Sequence, residues 1–386
     1  MKKRFYLLFI ILSLVLIGPL SLWVKSSHAA DTSPDDDIAT DTPTYTTVVN
    51  TPTFTPTVNV TLGHKFYTFD AMWTNSSDPL NDPEAIAISP NSGHMIIADS
   101  GNNRVVVWDG DGKPLKSIGS FGPRADWRNP PQFNDPCGVY VDPAKKLYVA
   151  DTQNNRIVVL DETGMVLSTW GTQGTEPGQF NQPRSIAVDH FGNFWVLDSG
   201  NSRVEIFSAG GQYNATFGSF GTGDYLLNNP LSMALNNIDQ GIIADTGNFR
   251  FEVFNNGGTA VTQQGWFGDG PYQFKEPNGV VVTKEGWVAI ADGQNDGINF
   301  YNSRNGEYEF IGMWRAKDNI ISPNYDPHYK GIACDAQDRL YLTDIKNNAI
   351  IRLKPINKGE ASQLAPTPTP TPAAVSPYGG NGYPIR

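Results

Sequence analysis

An acidic and a basic residue recur along the chain at a spacing that suits an ion pair. Each aspartate ends an apolar segment, and an arginine follows five residues later. The four pairs are Asp99 with Arg104, Asp151 with Arg156, Asp198 with Arg203, and Asp245 with Arg250. A carboxylate at such a loop accepts hydrogen bonds from backbone N–H groups and from the planar guanidinium. Because repeated positions rarely all bind substrate, the pattern predicts a structural role for these pairs.

Residues that could support metal or nucleophilic chemistry are sparse. Four histidines follow the N-terminal segment, namely His64, His94, His190 and His328, and only His328 directly precedes an inner strand of the repeat described below. A zinc site needs three or four convergent ligands, so these histidines do not predict one. The chain contains no Gly-x-Ser-x-Gly, Walker or dinucleotide-binding motif. We therefore expect no catalytic residues, no metal and no cofactor.

The fold must position these residues, and a sequence repeat predicts what that fold is. An apolar segment that ends in Asp occurs six times, with spacings of 52, 47, 47, 47 and 52 residues. The six aspartates are Asp99, Asp151, Asp198, Asp245, Asp292 and Asp344. Each copy contains short apolar or alternating segments separated by turn residues, which is typical of a propeller blade with four antiparallel strands. The chain is therefore predicted to be an all-β protein, a six-bladed β-propeller.

The two ends of the repeat array predict how the ring closes. The sixth copy stops after its third strand, where the chain enters a Pro-rich tail. Residues 66–73, ahead of the first copy, end in Met-Trp, as does the fourth strand of the fifth copy. If this N-terminal strand joins the last blade, every blade has four strands and no sheet edge is left open. We predict this closure.

The repeat resembles the NHL repeat of β-propellers. The resemblance rests on the pattern Asp-Ser/Thr-x-Asn-x-Arg, as in residues 151–156 and 198–203, and on Gln-Phe-Asn-x-Pro at 132–136 and 179–183. The resemblance covers about residues 64–355. Within this range the chain is similar to bacterial proteins of the secreted or membrane-anchored type. The resemblance implies scaffolding or ligand recognition. Relatives that bind RNA use a basic face, and the net charge of −11 argues against a nucleic-acid partner.

Some propellers that are similar to this fold are enzymes. A lyase that cleaves peptidyl-hydroxyglycine holds zinc with three histidines around the channel, and a group of hydrolases holds calcium with Glu and Asn at the channel mouth. Glu84 and Asn278 begin inner strands at suitable points. The resemblance therefore leaves a metal-dependent hydrolase or lyase as the alternative to a binding module.

Aromatic residues fall near the end of successive fourth strands. They are Trp73, Phe121, Trp170, Phe217, Trp266 and Trp314. Their recurrence at one position of the blade predicts packing between neighbouring blades.

Two connections between blades are longer than the others and carry basic and aromatic residues. Residues 122–135 lead into the second blade and residues 315–329 into the sixth, so both flank the first blade on one face of a closed ring. Trp, Tyr and Arg are favoured at binding hot spots. We predict a binding patch for a protein, peptide or glycan that contains Arg124, Trp127, Arg128, Arg315, Lys317, Tyr325, His328 and Tyr329.

The chain ends predict a protein outside the cytoplasm. Residues 1–30 have three basic residues at positions 2–4, then an apolar run and small residues, which is typical of a signal peptide or signal anchor. Contact with a membrane is expected only through this segment. The Thr/Pro-rich residues 31–63 are predicted to form a disordered stalk, 64–358 the propeller, and 359–386 a disordered tail. We expect a monomer, secreted or anchored at the cell surface.

Overall fold

The computed structural model of the protein describes residues 67–125, 130–304, 307–318 and 325–356. The predictions for the signal segment, the stalk and the tail lie outside these residues. Within the described ranges, the helices are single 3-10 turns, such as Ser100–Asn102 and Thr152–Asn154, and none has the length and apolarity to cross a membrane.

Six four-stranded antiparallel sheets form the six predicted blades. In chain order the strands are β1 (Tyr67–Trp73), β2 (Pro83–Ile88), β3 (Met95–Asp99), β4 (Arg104–Trp108), β5 (Pro114–Ile118), β6 (Pro136–Val141), β7 (Leu147–Asp151), β8 (Arg156–Leu160), β9 (Val166–Trp170), β10 (Pro183–Val188), β11 (Phe194–Asp198), β12 (Arg203–Phe207), β13 (Tyr213–Phe217), β14 (Ser232–Leu235), β15 (Gly241–Asp245), β16 (Arg250–Phe254), β17 (Ala260–Gln264), β18 (Trp266–Phe267), β19 (Gln273–Phe274), β20 (Pro277–Val282), β21 (Trp287–Asp292), β22 (Gly297–Arg304), β23 (Glu307–Arg315), β24 (Tyr329–Cys334), β25 (Leu340–Asp344) and β26 (Ala349–Pro355). Blades one to four contain β2 to β17 in order, blade five contains β20 to β23, and blade six contains β24 to β26 with β1. Strands β18 and β19 form a short parallel pair between blades four and five. The predicted all-β, six-bladed fold is confirmed.

The N-terminal strand β1 is the outer strand of the last blade. It runs antiparallel to β26, with Tyr67 opposite Pro355 and Trp73 opposite Ile350. Tyr67 is buried, and its ring stacks on Phe300 of blade five with the ring centroids 5.2 Å apart. Strand β1 therefore pairs within its own blade and also packs on the neighbouring one.

Apolar side chains fill the spaces between neighbouring blades. Between blades six and one, Tyr341 and Ile350 belong to the same buried cluster as Met95 and Trp108. Burial of apolar surface is the main favourable contribution to folding. Because each blade shares its buried face with a neighbour, the blades stabilise one another.

Strand direction sorts the connections onto two faces. One end of the propeller carries two kinds of loop. These are the connections that enter the inner strands and the loops that follow the repeat aspartates. At this end Gly101 N–H donates to the Asn81 carbonyl at 2.9 Å, so the two kinds of loop are in contact. We call this end the loop face. The opposite end, which carries the turns between first and second strands such as 189–192, is the turn face.

The repeat aspartates are fully buried and hold the loops of the loop face. In blade two, Asp151 accepts hydrogen bonds from Arg156 Nε at 2.7 Å, Asn134 N–H at 2.8 Å and Asn154 Nδ2 at 2.9 Å. The same Arg–Asp contact measures 2.6 Å for Arg104 and Asp99, 2.8 Å for Arg203 and Asp198, and 2.9 Å for Arg250 and Asp245. The carboxylate thus ties the loop after the second strand to the incoming connection of its own blade.

Copies five and six have no arginine at this position, and other side chains replace it. In copy five, Arg315 of β23 runs past Gly297 so closely that a Cβ on Gly297 would lie 2.7 Å from Arg315 Nη1. Burial raises the pKa of Asp292, and the charge of Arg315 opposes that rise. In copy six, Tyr325 Oη donates to Asp344 Oδ2 at 2.6 Å. Two residues of the predicted binding patch therefore occupy the place of the missing arginine.

Replacing Tyr67 with Ala is expected to lower the free energy of unfolding by about 3 kcal/mol, because truncation leaves a cavity between blades five and six. Met72→Ala on the same strand, where the side chain is 42% exposed, is the matched control. We expect that change to cost about 0.5 kcal/mol or less. Urea unfolding measures both, and equal losses would contradict the packing role of Tyr67.

The Tyr325→Phe substitution removes one hydrogen bond from the buried carboxylate of Asp344. We expect it to lower the free energy of unfolding by about 1 to 3 kcal/mol. Tyr213→Phe, at a ring that is 38% exposed, serves as the control and is expected to change little. Unfolding curves of Tyr325→Phe that coincide with those of the unaltered protein would show that Tyr325 does not replace the arginine.

Candidate functional site

The inner strands of the six blades line a narrow central channel. At its mouth on the loop face is a cavity of about 100 Å³. One residue from the start of each inner segment lines it, namely Glu84, Cys137, Arg184, Leu231, Asn278 and Lys330. A cavity of this size holds a few water molecules. It is too small to enclose a peptide or a sugar.

Opposite charges at the mouth are paired. Arg184 Nη1 of blade three lies 3.2 Å from Glu84 Oε2 of blade one. Lys330 Nζ lies 3.3 Å from Glu276 Oε1, and His328 Nε2 lies 3.0 Å from the other oxygen of the same carboxylate. Arg184 with Glu84 and Lys330 with Glu276 therefore form ion pairs that link several blades across the channel mouth.

The two glutamates have opposite pKa shifts. Burial raises the pKa of Glu84, although the charges of Lys330 and Arg184 oppose the rise. Burial acts in the same direction on Glu276, but the His328 hydrogen bond and the Lys330 charge outweigh it and lower the pKa of Glu276 to about 2. Carboxylates with opposite shifts are found at many catalytic sites. The mouth is therefore where a catalytic role would have to be sought.

The candidate calcium ligands Glu84 and Asn278 both reach the mouth. Asn278 is buried, and its Nδ2 donates to the Tyr329 carbonyl at 3.0 Å. Arg184 and Lys330 place two positive charges among the same groups, and like charges at short range oppose a divalent cation. These residues do not fit a calcium site.

The histidines do not converge in the described structure. His94 and His190 lie on the turn face, where His190 Nδ1 is 2.7 Å from Asp239 Oδ1. His328 lies at the channel mouth on the opposite face, and His64 is outside the described residues. Among residues 67–125, 130–304, 307–318 and 325–356, no group of three or more His, Cys, Asp or Glu is arranged to hold a metal ion.

The two cysteines are not paired with each other. Cys137 and Cys334 are both free thiols, and burial raises the pKa of Cys137. A protonated, buried thiol is a poor nucleophile, so Cys137 contributes to the mouth as a small apolar group.

Two of the eight predicted binding residues are exposed on the long connections, and two others lie outside the described residues. Arg124 and Lys317 are exposed. Trp127 and Arg128 lie outside the described residues, so their part of the prediction is untested.

The other four are not presented on an exposed patch. Arg315 and Tyr329 are 5% and 0% exposed, and Tyr325 is half-buried against Asp344. His328 faces the channel mouth. Burial removes Arg315 and Tyr329 from the exposed patch that loop length predicts, because the chain at both ends of this connection packs on its own blades.

Three phenylalanines are exposed at one repeated position of the loop face. Phe121, Phe220 and Phe267 each follow a repeat aspartate by 22 residues and are 68%, 73% and 61% exposed. Trp266, next to Phe267, is 54% exposed. Large apolar side chains that recur at one position of the repeat are candidates for contact with a partner.

The prediction that strand-end aromatics pack between blades is wrong for Phe121 and Trp266. Trp170 does pack on Phe194, with the ring centroids 5.0 Å apart. Phe121 and Trp266, in contrast, lie beyond glycines with positive φ, Gly119 at 97° and Gly265 at 122°, which turn the chain away from the blade. Distance from the repeat aspartate alone does not separate the exposed rings from the packed ones, because Phe121 and Trp314 both follow an aspartate by 22 residues and only Trp314 is buried.

A family model of the NHL repeat matches residues 80–108, 133–160 and 180–207. Each matched segment runs from an incoming connection to the end of a third strand, in blades one, two and three. None of the curated proteins matches the chain in sequence.

Several solved structures share the fold at low identity. A streptogramin B lyase structure is 14% identical, with a TM-score of 0.51, over 76% of this chain and 98% of that chain. An inactive variant of virginiamycin B lyase from Staphylococcus aureus, solved with quinupristin, is 15% identical with a TM-score of 0.50, over 71% of this chain and 80% of that chain.

A protein of unknown function from Bacteroides thetaiotaomicron has a TM-score of 0.56 at 14% identity, over 76% of this chain and 77% of that chain. At such identities the likeness shows the fold alone. With six four-stranded blades the chain is a six-bladed β-propeller, and three of its blades contain segments that match the NHL repeat.

Proposed function

We propose that the protein is a non-catalytic binding module outside the cytoplasm, which recognises a protein, peptide or glycan through its loop face. The observation that carries this proposal is the repeated exposure of Phe121, Phe220 and Phe267. Burying such a ring is worth about 1.5 to 3 kcal/mol. A partner that covers the rings gains this free energy on binding, and aromatic residues are enriched at protein interfaces for that reason.

The sequence ends support the proposed location. Residues 1–30 have the composition of a signal peptide or anchor, and the stalk at 31–63 would display the propeller at the cell surface if that segment is retained. The net charge of −11 disfavours nucleic acid as the partner.

The channel mouth supports a non-catalytic role. Its carboxylates, Glu84 and Glu276, are already paired with Arg184, Lys330 and His328. A substrate would have to break these pairs before a carboxylate could act on it.

A metal-dependent hydrolase or lyase is the second candidate. The opposite pKa shifts of Glu84 and Glu276 favour it, since such shifts mark many catalytic sites. The lyases with a similar fold add no support, because at 14% and 15% identity they share the fold alone. The positive charges of Arg184 and Lys330 oppose the metal that such an enzyme would use.

Metal removal separates the two candidates. Because no divalent cation is expected at the mouth, treatment with EDTA and later addition of Ca²⁺ or Zn²⁺ should change Tm by about 1 °C or less. Differential scanning fluorimetry and elemental analysis of the purified protein provide the measurement. Stoichiometric calcium or zinc, lost together with several degrees of Tm, would support the enzyme instead.

Loop-face variants test the binding proposal. We expect the combined substitutions Phe121→Ser, Phe220→Ser and Phe267→Ser to weaken binding to peptide and glycan arrays by about tenfold or more, because three rings leave the contact surface. Since all three side chains are exposed, Tm should change little.

The matched control removes three exposed apolar side chains from the turn face. These are Met165, Phe191 and Ile238, at 41%, 76% and 66% exposure, each replaced by Ser. This variant should bind as the unaltered protein does. Loss of binding in the control, with full binding in the loop-face variant, would contradict the proposal.

A further inference from the structure

One residue on the loop face departs from the repeat in a way that the fold does not explain. Each 3-10 turn after a repeat aspartate is followed by a residue in the left-handed region, and in blade four this residue is Phe249, at φ 58° and ψ 38°. Its equivalents in the other blades are Asn103, Asn155, Ser202, Asp296 and Asn348. Short polar side chains tolerate this conformation, whereas a bulky one is an outlier there.

Phe249 also gives up a hydrogen bond between blades. Asn103 Oδ1 accepts from Asp135 N–H, and Asn155 Oδ1 accepts from Gln182 N–H, both at 2.9 Å, so each asparagine holds the start of the next blade. A phenyl ring cannot accept this bond. The corresponding donor of blade five, Glu276 N–H, donates to Asp292 Oδ1 at 2.8 Å instead.

The ring of Phe249 is not deeply buried, so burial does not offset the loss of this hydrogen bond. It is half-buried and meets Phe267, with centroids 5.1 Å apart and planes at 75°. Next to Phe267, Trp266 stacks parallel to Tyr272, with centroids 6.3 Å apart. We call Phe249, Trp266, Phe267 and Tyr272 the aromatic corner. Strained residues that the local fold does not require are concentrated at functional sites.

Exposed carboxylates accompany the aromatic corner. Asp269 follows Phe267 by two residues, is 78% exposed at its side chain, and lies 3.6 Å from Lys275 Nζ, which offsets part of its charge. Asp224 is also exposed, and its Oδ1 accepts a hydrogen bond from Gln263 Nε2, on the strand that leads into the corner, at 2.8 Å. Aromatic faces beside carboxylates attract organic cations, and the net charge of −11 favours their approach.

The geometry favours a cation over a sugar ring. A sugar stacks best on a flat platform, but Phe249 and Phe267 are nearly perpendicular. Two perpendicular rings form a corner that suits the compact head of a long side chain. Building on the proposed binding function, we propose that the aromatic corner binds an arginine- or lysine-bearing peptide segment by its cationic side chain, with Asp224 and Asp269 supplying the opposite charge.

The test uses Phe249→Asn, which restores the residue of the other blades. This variant deletes one ring, and its Tm should equal or exceed that of the unaltered protein because Asn suits the left-handed conformation. A second variant, Trp266→Ser, removes another ring at an exposed position. Both are applied with the unaltered protein to an array of random dodecapeptides and to a glycan array.

We expect the unaltered protein to select peptides enriched in Arg and Lys. Binding of these peptides should fall about tenfold or more in each variant, on replacing their Arg and Lys with Gln, and on raising the salt concentration. The inference would be overturned if no cationic peptides were among those bound, or if both variants bound these peptides as tightly as the unaltered protein does. A glycan or neutral peptide whose binding depends on Phe121 and Phe220 but not on Phe249 would overturn it while leaving the proposed function intact. Binding that no loop-face substitution affects would contradict both.

Discussion

A fully buried carboxylate at the end of every second strand is the interaction on which the loop face depends. All six repeat aspartates are 0% exposed, and each must receive hydrogen bonds or a positive charge in compensation. The donors come from the loop after the strand and from the connection that enters the blade, as Asn154 and Asn134 do for Asp151. Each aspartate therefore fixes two loops at once, and the residues carried by these loops are held in defined positions.

Departures from the repeat fall into two kinds. Some preserve a contact by another route, as when Tyr325 takes over from the missing arginine. Likewise, Thr152 Oγ1 donates to the Pro183 carbonyl of the next blade at 2.8 Å, and where blade five has Gly293 in place of the hydroxyl, Asn278 Nδ2 makes the equivalent bond. Phe249 is different, because a bulky residue takes the left-handed conformation there, and Glu276 N–H donates to Asp292 because the ring cannot accept its hydrogen bond. The strained backbone of Phe249, with a ring that is only half-buried, is the feature that points to a ligand.

The fold could be predicted because its signals are local and repeated. The spacing of the aspartates gave the number of blades, and the missing last strand pointed to residues 66–73, of which 67–73 pair with β26. The binding patch could not be predicted in the same way. Loop length and residue type do not show whether a side chain turns inward, and Arg315 and Tyr329 turn inward because a buried carboxylate and the neighbouring blades surround them. Strand periodicity places Phe121 and Trp266 with the packed aromatics because it does not reveal the positive φ of Gly119 and Gly265.

If the loop face is the recognition surface, a bound ligand must cover its exposed rings. Hydroxyl-radical footprinting tests this claim residue by residue, with and without a peptide or glycan selected on the arrays. We expect the ligand to protect Phe220 and Phe267 from oxidation and to leave Phe191 on the turn face unchanged. Protection of Phe191 with no change at Phe220 and Phe267 would show that the loop face is not the recognition surface.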